Sequence, residues 1–179
     1  RKREICSHIL DSEILLSNVL NKSREKILVN LDQKLNSKNI LKFKKYIRRR
    51  SKNEPVAYIL GEKEFWSKKF IVNKDTLIPR PETELLVEKL VKLFKGKKIS
   101  ILDIGTGSGC IILSLLSNLE KSVGLGVDVS NKAILIANKN AKRHELSNRV
   151  KFLNKSFESI FSKKFDLIVS NPPYIERKN

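Results

Sequence analysis

Apolar residues near the start of the chain recur at three- and four-residue steps. Ile5, Ile9, Ile14 and Leu15, continued by Leu16, Val19 and Leu20, draw one stripe with the period of an amphipathic helix. Ser23 is placed to cap a short second helix through Leu28 and Leu31, and Ser37 a third that carries Ile40, Leu41, Lys44 and Ile47. Serine suits both places because its side chain satisfies a free amide of the first turn. Glu54-Pro55 ends this helical region, since a proline pushes the residue before it out of the helical basin. Residues 56–60, 63–66 and 70–72 are then short runs rich in β-branched and aromatic side chains, and Gly61 supplies a turn, which predicts a hairpin.

Beyond Pro79-Arg80-Pro81 the pattern becomes an alternation of helices and strands. Residues 82–94 place Leu85, Leu86, Leu90 and Phe94 on one helical face, with Gly96 as the stop. Four apolar runs follow at 99–104, 123–127, 150–153 and 165–170, and 109–118 and 131–143 read as helices between them. Apolar strands joined by helical crossovers predict an α/β fold with a parallel, twisted, Rossmann-like sheet covered on both faces. The expected domains are a helical unit at 1–53, a hairpin linker at 54–78 and an α/β core at 79–179. No repeat or low-complexity tract interrupts them.

Composition narrows the class. A chain of 179 residues, 40% hydrophobic and 31% charged, buries enough surface to need neither disulfides nor a structural metal. Cys6 and Cys110 lie far apart with no C-x-x-C spacing, so both are expected to be reduced, as in a cytoplasmic protein. No apolar run is long enough to span a bilayer, so no membrane partner is expected, and no signal peptide is present; the chain begins at Arg1, which leaves room for an upstream segment. Thirty-seven Lys and Arg against nineteen Asp and Glu give a net charge of +18, which attracts polyanions. Yet lysine is scattered through every segment and often accompanied by asparagine, the mark of biased coding composition, so nucleic acid is a secondary expectation. Arg48-Arg49-Arg50 ends an amphipathic helix, where cations meet the carbonyl end of the dipole, and is expected to be a solvated helix end.

The first strand of the core runs through Asp103-Ile104-Gly105-Thr106-Gly107-Ser108-Gly109 straight into a helix. In an open α/β sheet ligands settle at the carboxyl ends of the strands where strand order reverses, and glycines let backbone approach them closely. Gly105, Gly107 and Gly109 can form a tight loop against the sulfonium amino-acid portion of S-adenosylmethionine, with Thr106 and Ser108 between them and Asp103 favouring the ammonium. A dinucleotide fingerprint would need glycine where Cys110 stands, and a P-loop would need Gly-Lys-Ser/Thr, which is absent. Asp128, at the end of the next strand, is in register to accept both ribose hydroxyls. Alone it would read as a helix cap; beside the glycine loop the ribose role is the stronger reading. Phe157, after the third strand, is placed to cover the adenine face, although an isolated phenylalanine is more often core.

The fourth strand delivers Asn171-Pro172-Pro173-Tyr174 to the same sheet edge. Paired prolines make a stiff loop that presents carbonyl acceptors without competing N–H donors. The Asn171 side-chain oxygen and the Pro172 carbonyl can each accept one hydrogen of a planar NH₂ group, while Tyr174 packs on its conjugated plane. Such a nitrogen is a poor nucleophile, so positioning has to carry the rate: two acceptors align its lone pair with the methyl carbon and stabilise the charge it develops. His8 and His144 belong to no ligand set or hydrolytic triad, so a metal is not expected.

With these residues in hand, the chain resembles the HemK/PrmC family of protein glutamine methyltransferases. Glu54-Pro55-Val56-Ala57-Tyr58-Ile59-Leu60-Gly61, Glu64-Phe65-Trp66 and Leu77-Ile78-Pro79-Arg80-Pro81-Glu82-Thr83-Glu84 look like that family's segment between its helical domain and its core. The resemblance covers nearly the whole chain. It implies a class I S-adenosylmethionine-dependent fold and methylation of the glutamine in the Gly-Gly-Gln motif of peptide-chain release factors, with the helical domain docking the substrate and the ribosome as an associated partner. It further implies that Gly105 to Gly109, Asp128 and Asn171 contact cofactor or glutamine. Adenine-methylating enzymes share the Asn-Pro-Pro-Tyr type, so amino methylation of adenine in nucleic acid is the alternative. Two departures stand out. Ser156 occupies the place of an acidic residue usual in the family, so the adenine amino group is expected to be held differently. Four strands are legible where a complete sheet of this class has seven, so these residues are expected to be a piece with an open sheet edge, binding cofactor poorly and turning over little.

Overall fold

The computed structural model describes residues 7–30, 32–160 and 164–172. It divides into two compact units, Arg1–Gly61 and Glu62–Asn179. Residues 54–61 therefore group with the helical unit and 62–78 with the α/β unit.

The first unit is built from α1 (His8–Leu20), α2 (Arg24–Leu28), α3 (Ser37–Arg50) and α4 (Val56–Leu60). Leu15, Val19, Ile27 and Ile59 form its buried interior. Ser23 caps α2 by accepting from the Lys26 amide, as expected, but α3 is capped one residue early: Asn36 Oδ1 accepts from the Asn39 amide at 2.8 Å and Ser37 is already helical. The arginine run is not a bare solvated end. Arg50 pairs with Asp11 at 2.8 Å, and the Arg49 guanidinium grips the Glu54 carboxylate while donating to the carbonyls of Tyr58 and Ile59. That fork fastens the end of α4. Residues 56–60, expected as a strand, form this single helical turn because Pro55 opens it and Gly61, at φ +77°, closes it with its amide bonded to the Ala57 carbonyl.

The second unit opens with a hairpin, β1 (Glu62–Phe65) against β2 (Lys68–Ile71), antiparallel with Phe65 opposite Lys68; it turns at Trp66-Ser67 and not at Gly61, which ends α4 instead. Then come α5 (Glu82–Phe94), β3 (Ser100–Ile104), α6 (Cys110–Asn118), β4 (Val123–Asp128), α7 (Asn131–Arg143), β5 (Val150–Asn154), a single 3₁₀ turn at Phe157–Ile160 and β6 (Leu167–Ser170). The four core strands are parallel in the order β5-β4-β3-β6. From β3 the chain works outward through β4 to β5 and then returns to the other side of β3, so strand order reverses between β3 and β6. That is the position at which open α/β sheets bind ligands.

One sheet face carries the main core. Ile101, Ile112, Leu113, Leu115, Leu116, Ala137 and Val169 pack there with Phe65 and Phe70 of the hairpin and Val87 of α5. Each fully buried aliphatic side chain of this kind contributes about 1.5–3 kcal/mol. Alternation along β3 sends Leu102 to the other face, where among the described residues a smaller cluster gathers Leu102, Leu125, Val127 and Ile160. Among the described residues the helices α5, α6 and α7 contribute buried side chains to the first cluster alone, so the cover expected on both faces is helical on one of them there.

Candidate functional site

The loop after β3 is held rigid by its neighbour strand. The amides of Gly105 and Thr106 both donate to the Val127 carbonyl, at 2.9 and 3.0 Å, and the Gly107 amide donates to Asp128 Oδ2 at 2.9 Å. Gly105 and Gly107 hold φ values of +69° and +56°, a left-handed backbone that side chains with a β-carbon rarely adopt. Gly109 has φ +77° and starts α6; a β-carbon there would come within 3.2 Å of Leu113 and Phe152. Beneath the loop, Thr106 Oγ1 donates to Asp103 Oδ2 at 2.7 Å.

The register of β3 with β6 places Ile104 opposite Ser170, and the Ser170 hydroxyl donates to the Ile104 carbonyl at 3.0 Å. The glycine loop and Asn171 thus leave the sheet side by side. They line one cavity of about 40 Å³, Gly105, Thr106, Gly107, Ser108 and Asn171 together with residues 77–80 and Thr83. Asn171 Nδ2 donates to Thr83 Oγ1 at 3.2 Å.

The remaining expected residues sit around this centre rather than in it. Asp128 is half-buried and splits its carboxylate between two amides, Gly107 on Oδ2 and Ser130 on Oδ1, so it serves the loop and the start of α7 together. Asp103, expected to favour the ammonium, is 1% exposed, accepts from Thr106 Oγ1 and does not itself line the cavity. Phe157 begins the 3₁₀ turn, 43% exposed, and does not line the cavity. Pro172 is exposed. Pro173, Tyr174 and Cys6 lie outside the described residues.

Two positions were not singled out from the sequence. Thr83 sits inside a segment that reads as a linker with a helix cap. Asn140 is fully buried: its Oδ1 accepts from the Ile71 amide, and its Nδ2 donates to the carbonyls of Ile71 and Ser108, tying β2 to the glycine loop. The available signal was an asparagine within the apolar stripe of α7, since a buried amide has to find partners.

Residues 80–179 match the family model described as the methyltransferase small domain, and residues 1–61 match the PrmC N-terminal domain. The chain belongs to the methyltransferase small domain family. A bifunctional methyltransferase of Rickettsia conorii is 43% identical over 96% of this chain and 38% of its own length. A release factor glutamine methyltransferase of Buchnera aphidicola is 46% identical over 92% of this chain and 60% of its own. The chain thus spans less than two thirds of each of these relatives. A SAM-dependent methyltransferase from Agrobacterium tumefaciens superposes with a TM-score of 0.52 at 18% identity, over 63% of this chain and 39% of that one, which shows the shared fold.

Within this methyltransferase domain, burial raises the Asp103 carboxyl to about 7, against the opposing pull of the Thr106 hydroxyl and the Ile112 backbone; the nearby Asp128 charge adds to the rise. Burial also pushes the Cys110 thiol up to about 12, so the cysteine on the cavity wall stays protonated and is no nucleophile. His144 packs on the Phe70 ring at 4.7 Å, and burial, followed by the charges of Lys68 and Arg143, holds its imidazole below the usual value. It is a neutral packing residue in this domain.

Proposed function

We propose that the protein transfers a methyl group from S-adenosylmethionine to the side-chain amide nitrogen of the glutamine in the Gly-Gly-Gln motif of peptide-chain release factors. The observation that carries this reading is that the glycine loop and Asn171 line the same opening at the strand-order reversal. The names of relatives such as the Buchnera enzyme supply the substrate. Methyltransferase chemistry with an ordinary amine would not require a stiff Asn-Pro acceptor; a delocalised amide does.

The residues present fit the cofactor. Gly105 and Gly107 have no β-carbon to fill the cradle, and each Asp128 oxygen, with one backbone donor, keeps acceptor capacity for a ribose hydroxyl. When bound, the cofactor supplies an electrophilic methyl on a sulfonium. The chain's own residues then orient the acceptor. Asn171 Oδ1 and the Pro172 carbonyl take the two amide hydrogens, turn the nitrogen lone pair in line with the methyl carbon, and stabilise the positive charge on nitrogen until one proton passes to water. Asp103 acts through the loop, by fixing Thr106 from below. In this reading Pro173 stiffens the acceptor loop, Tyr174 packs on the substrate amide and Phe157 covers the adenine. The helical unit docks the release factor. A substrate of the translation machinery places the protein in the cytoplasm, and among the described residues no helix is long and apolar enough to cross a membrane.

The test is transfer of labelled methyl by the full-length protein to a release factor, to the same factor with its motif glutamine replaced by alanine, and to an adenine-containing oligonucleotide. Label on the first alone is expected. Label on the oligonucleotide alone would replace this reading with adenine methylation, towards which the +18 charge points.

A further inference from the structure

We propose that Thr83 is the positioning residue that selects the productive face of the Asn171 amide. The inference rests on the methyl-transfer reading above and goes beyond it by naming a residue outside the acceptor tetrapeptide on which that tetrapeptide depends. A primary amide is nearly symmetric in shape but not in chemistry: one branch accepts and the other donates. Only the oxygen branch can receive a substrate N–H, and an amide turned the wrong way presents a competing donor. The two orientations differ by a half rotation about one soft torsion, so something has to distinguish them.

Thr83 does so. Its Oγ1 receives the Asn171 Nδ2 hydrogen at 3.2 Å across 88 residues of sequence. With the nitrogen branch held there, the oxygen is the branch left for the cavity that both residues line; among the described residues it has no hydrogen-bond donor. Thr83 itself is well fixed. It is 9% exposed and sits in the first turn of α5, where its amide donates to the Arg80 carbonyl at 3.0 Å. The next residue, Glu84, accepts from the Trp66 amide at 2.9 Å and ties that turn of helix to the hairpin. Pro79, buried, and Pro81 at the N-cap carry no N–H of their own that could donate to the hydroxyl.

Thr83→Val keeps the shape and removes the hydroxyl, and Thr83→Ser keeps the hydroxyl. In the full-length protein the valine variant is expected to lose about tenfold in kcat on a release factor, the scale of one oriented hydrogen bond, with KM and cofactor Kd essentially unchanged. The serine variant should stay close to the parent. Equal losses in the two variants, or a loss that appears in KM or Kd instead, would overturn the proposal. A second readout needs no substrate: the Asn171 side-chain NH₂ resonances should exchange slowly with water in the parent and serine proteins and rapidly in the valine protein. Unchanged exchange in the valine protein also overturns it. If the parent protein methylates no release factor, the exchange measurement still decides the role of Thr83, and the failure belongs to the functional reading alone.

Discussion

Under the glycine loop, Asp103 keeps its proton up to about pH 7, whereas the same side chain in an unfolded chain releases it near 3.8. Between those values the folded state binds more protons than the unfolded state, so folding stability falls as pH rises from about 4 to about 7 and is level beyond. Asp103→Asn, which retains an acceptor for Thr106, should flatten that slope in melting curves taken across this range. A bound sulfonium ammonium cation acts in the opposite sense by favouring the ionised carboxyl. Cofactor affinity measured by calorimetry should therefore rise as pH increases through about 7 in the parent and stay level in the asparagine variant. Gly126 makes a different kind of demand: a β-carbon there would lie 2.5 Å from the Phe152 ring and 2.9 Å from Thr106 Oγ1. Gly126→Ala should cost about 1–3 kcal/mol in denaturant unfolding, the usual penalty for overpacking, and weaken cofactor binding through Thr106. Asp128 was legible as a residue with two possible duties. Thr83 and Asn140 were not, because their partners stand 88 and 69 positions away and no local pattern announces a hydrogen bond of that span.

The hairpin turn consists of Trp66 and Ser67, with φ values of +51° and +54°. Both central residues of a type I′ turn need positive φ, and neither tryptophan nor serine favours it. The conformation holds because Glu84 accepts the Trp66 amide and Phe65 and Phe70 anchor the strands in the core, meeting edge to face at 6.1 Å. Ser67→Gly should remove about 1–2 kcal/mol of left-handed strain against about 0.5–1 kcal/mol of added chain entropy, a small net stabilisation read as an increase in the denaturant midpoint. That a hairpin lies here was readable from its β-rich runs, but its turn was not: Gly61, the expected turn residue, ends α4, and Trp66-Ser67 carry no turn signal. The neighbouring α4 was not readable: a five-residue apolar run fits a strand as well as one helical turn, and periodicity cannot separate them at that length. Pro55 and Gly61 decide it, one by starting the turn and the other by ending it. The N-cap of α3 moved by one residue for a comparable reason, since Asn36 and Ser37 are both good caps and only backbone geometry chooses.

Across the molecule, the α/β core was the most legible part. Its strands are continuous apolar runs, its crossovers have helical period, and its ligand loop is marked by glycines that no other residue replaces easily. Less legible was how the crossovers distribute over the sheet, because period shows which side of a helix is apolar but not which face of the sheet receives it. The net charge of +18 is spread over exposed lysines, and its expected expression is weak, sequence-blind attraction to nucleic acid. Binding to a random oligonucleotide should weaken steeply as salt is raised from 50 to 200 mM, about a thousandfold or more if six phosphates are engaged, with no methyl transferred; a salt-resistant, sequence-selective complex would contradict it.

The clasp between Ser170 and Ile104 has a bearing on how such enzymes are altered. Since adjacent strands run about 4.8 Å apart, the span from glycine turn to acceptor is a property of the ladder and not of any connecting segment. On the proposed reading, a chimera carrying a foreign tetrapeptide after Ser170 would inherit the same reach towards the methyl donor, so its choice of nucleophile could be exchanged while the donor cradle is left as it stands.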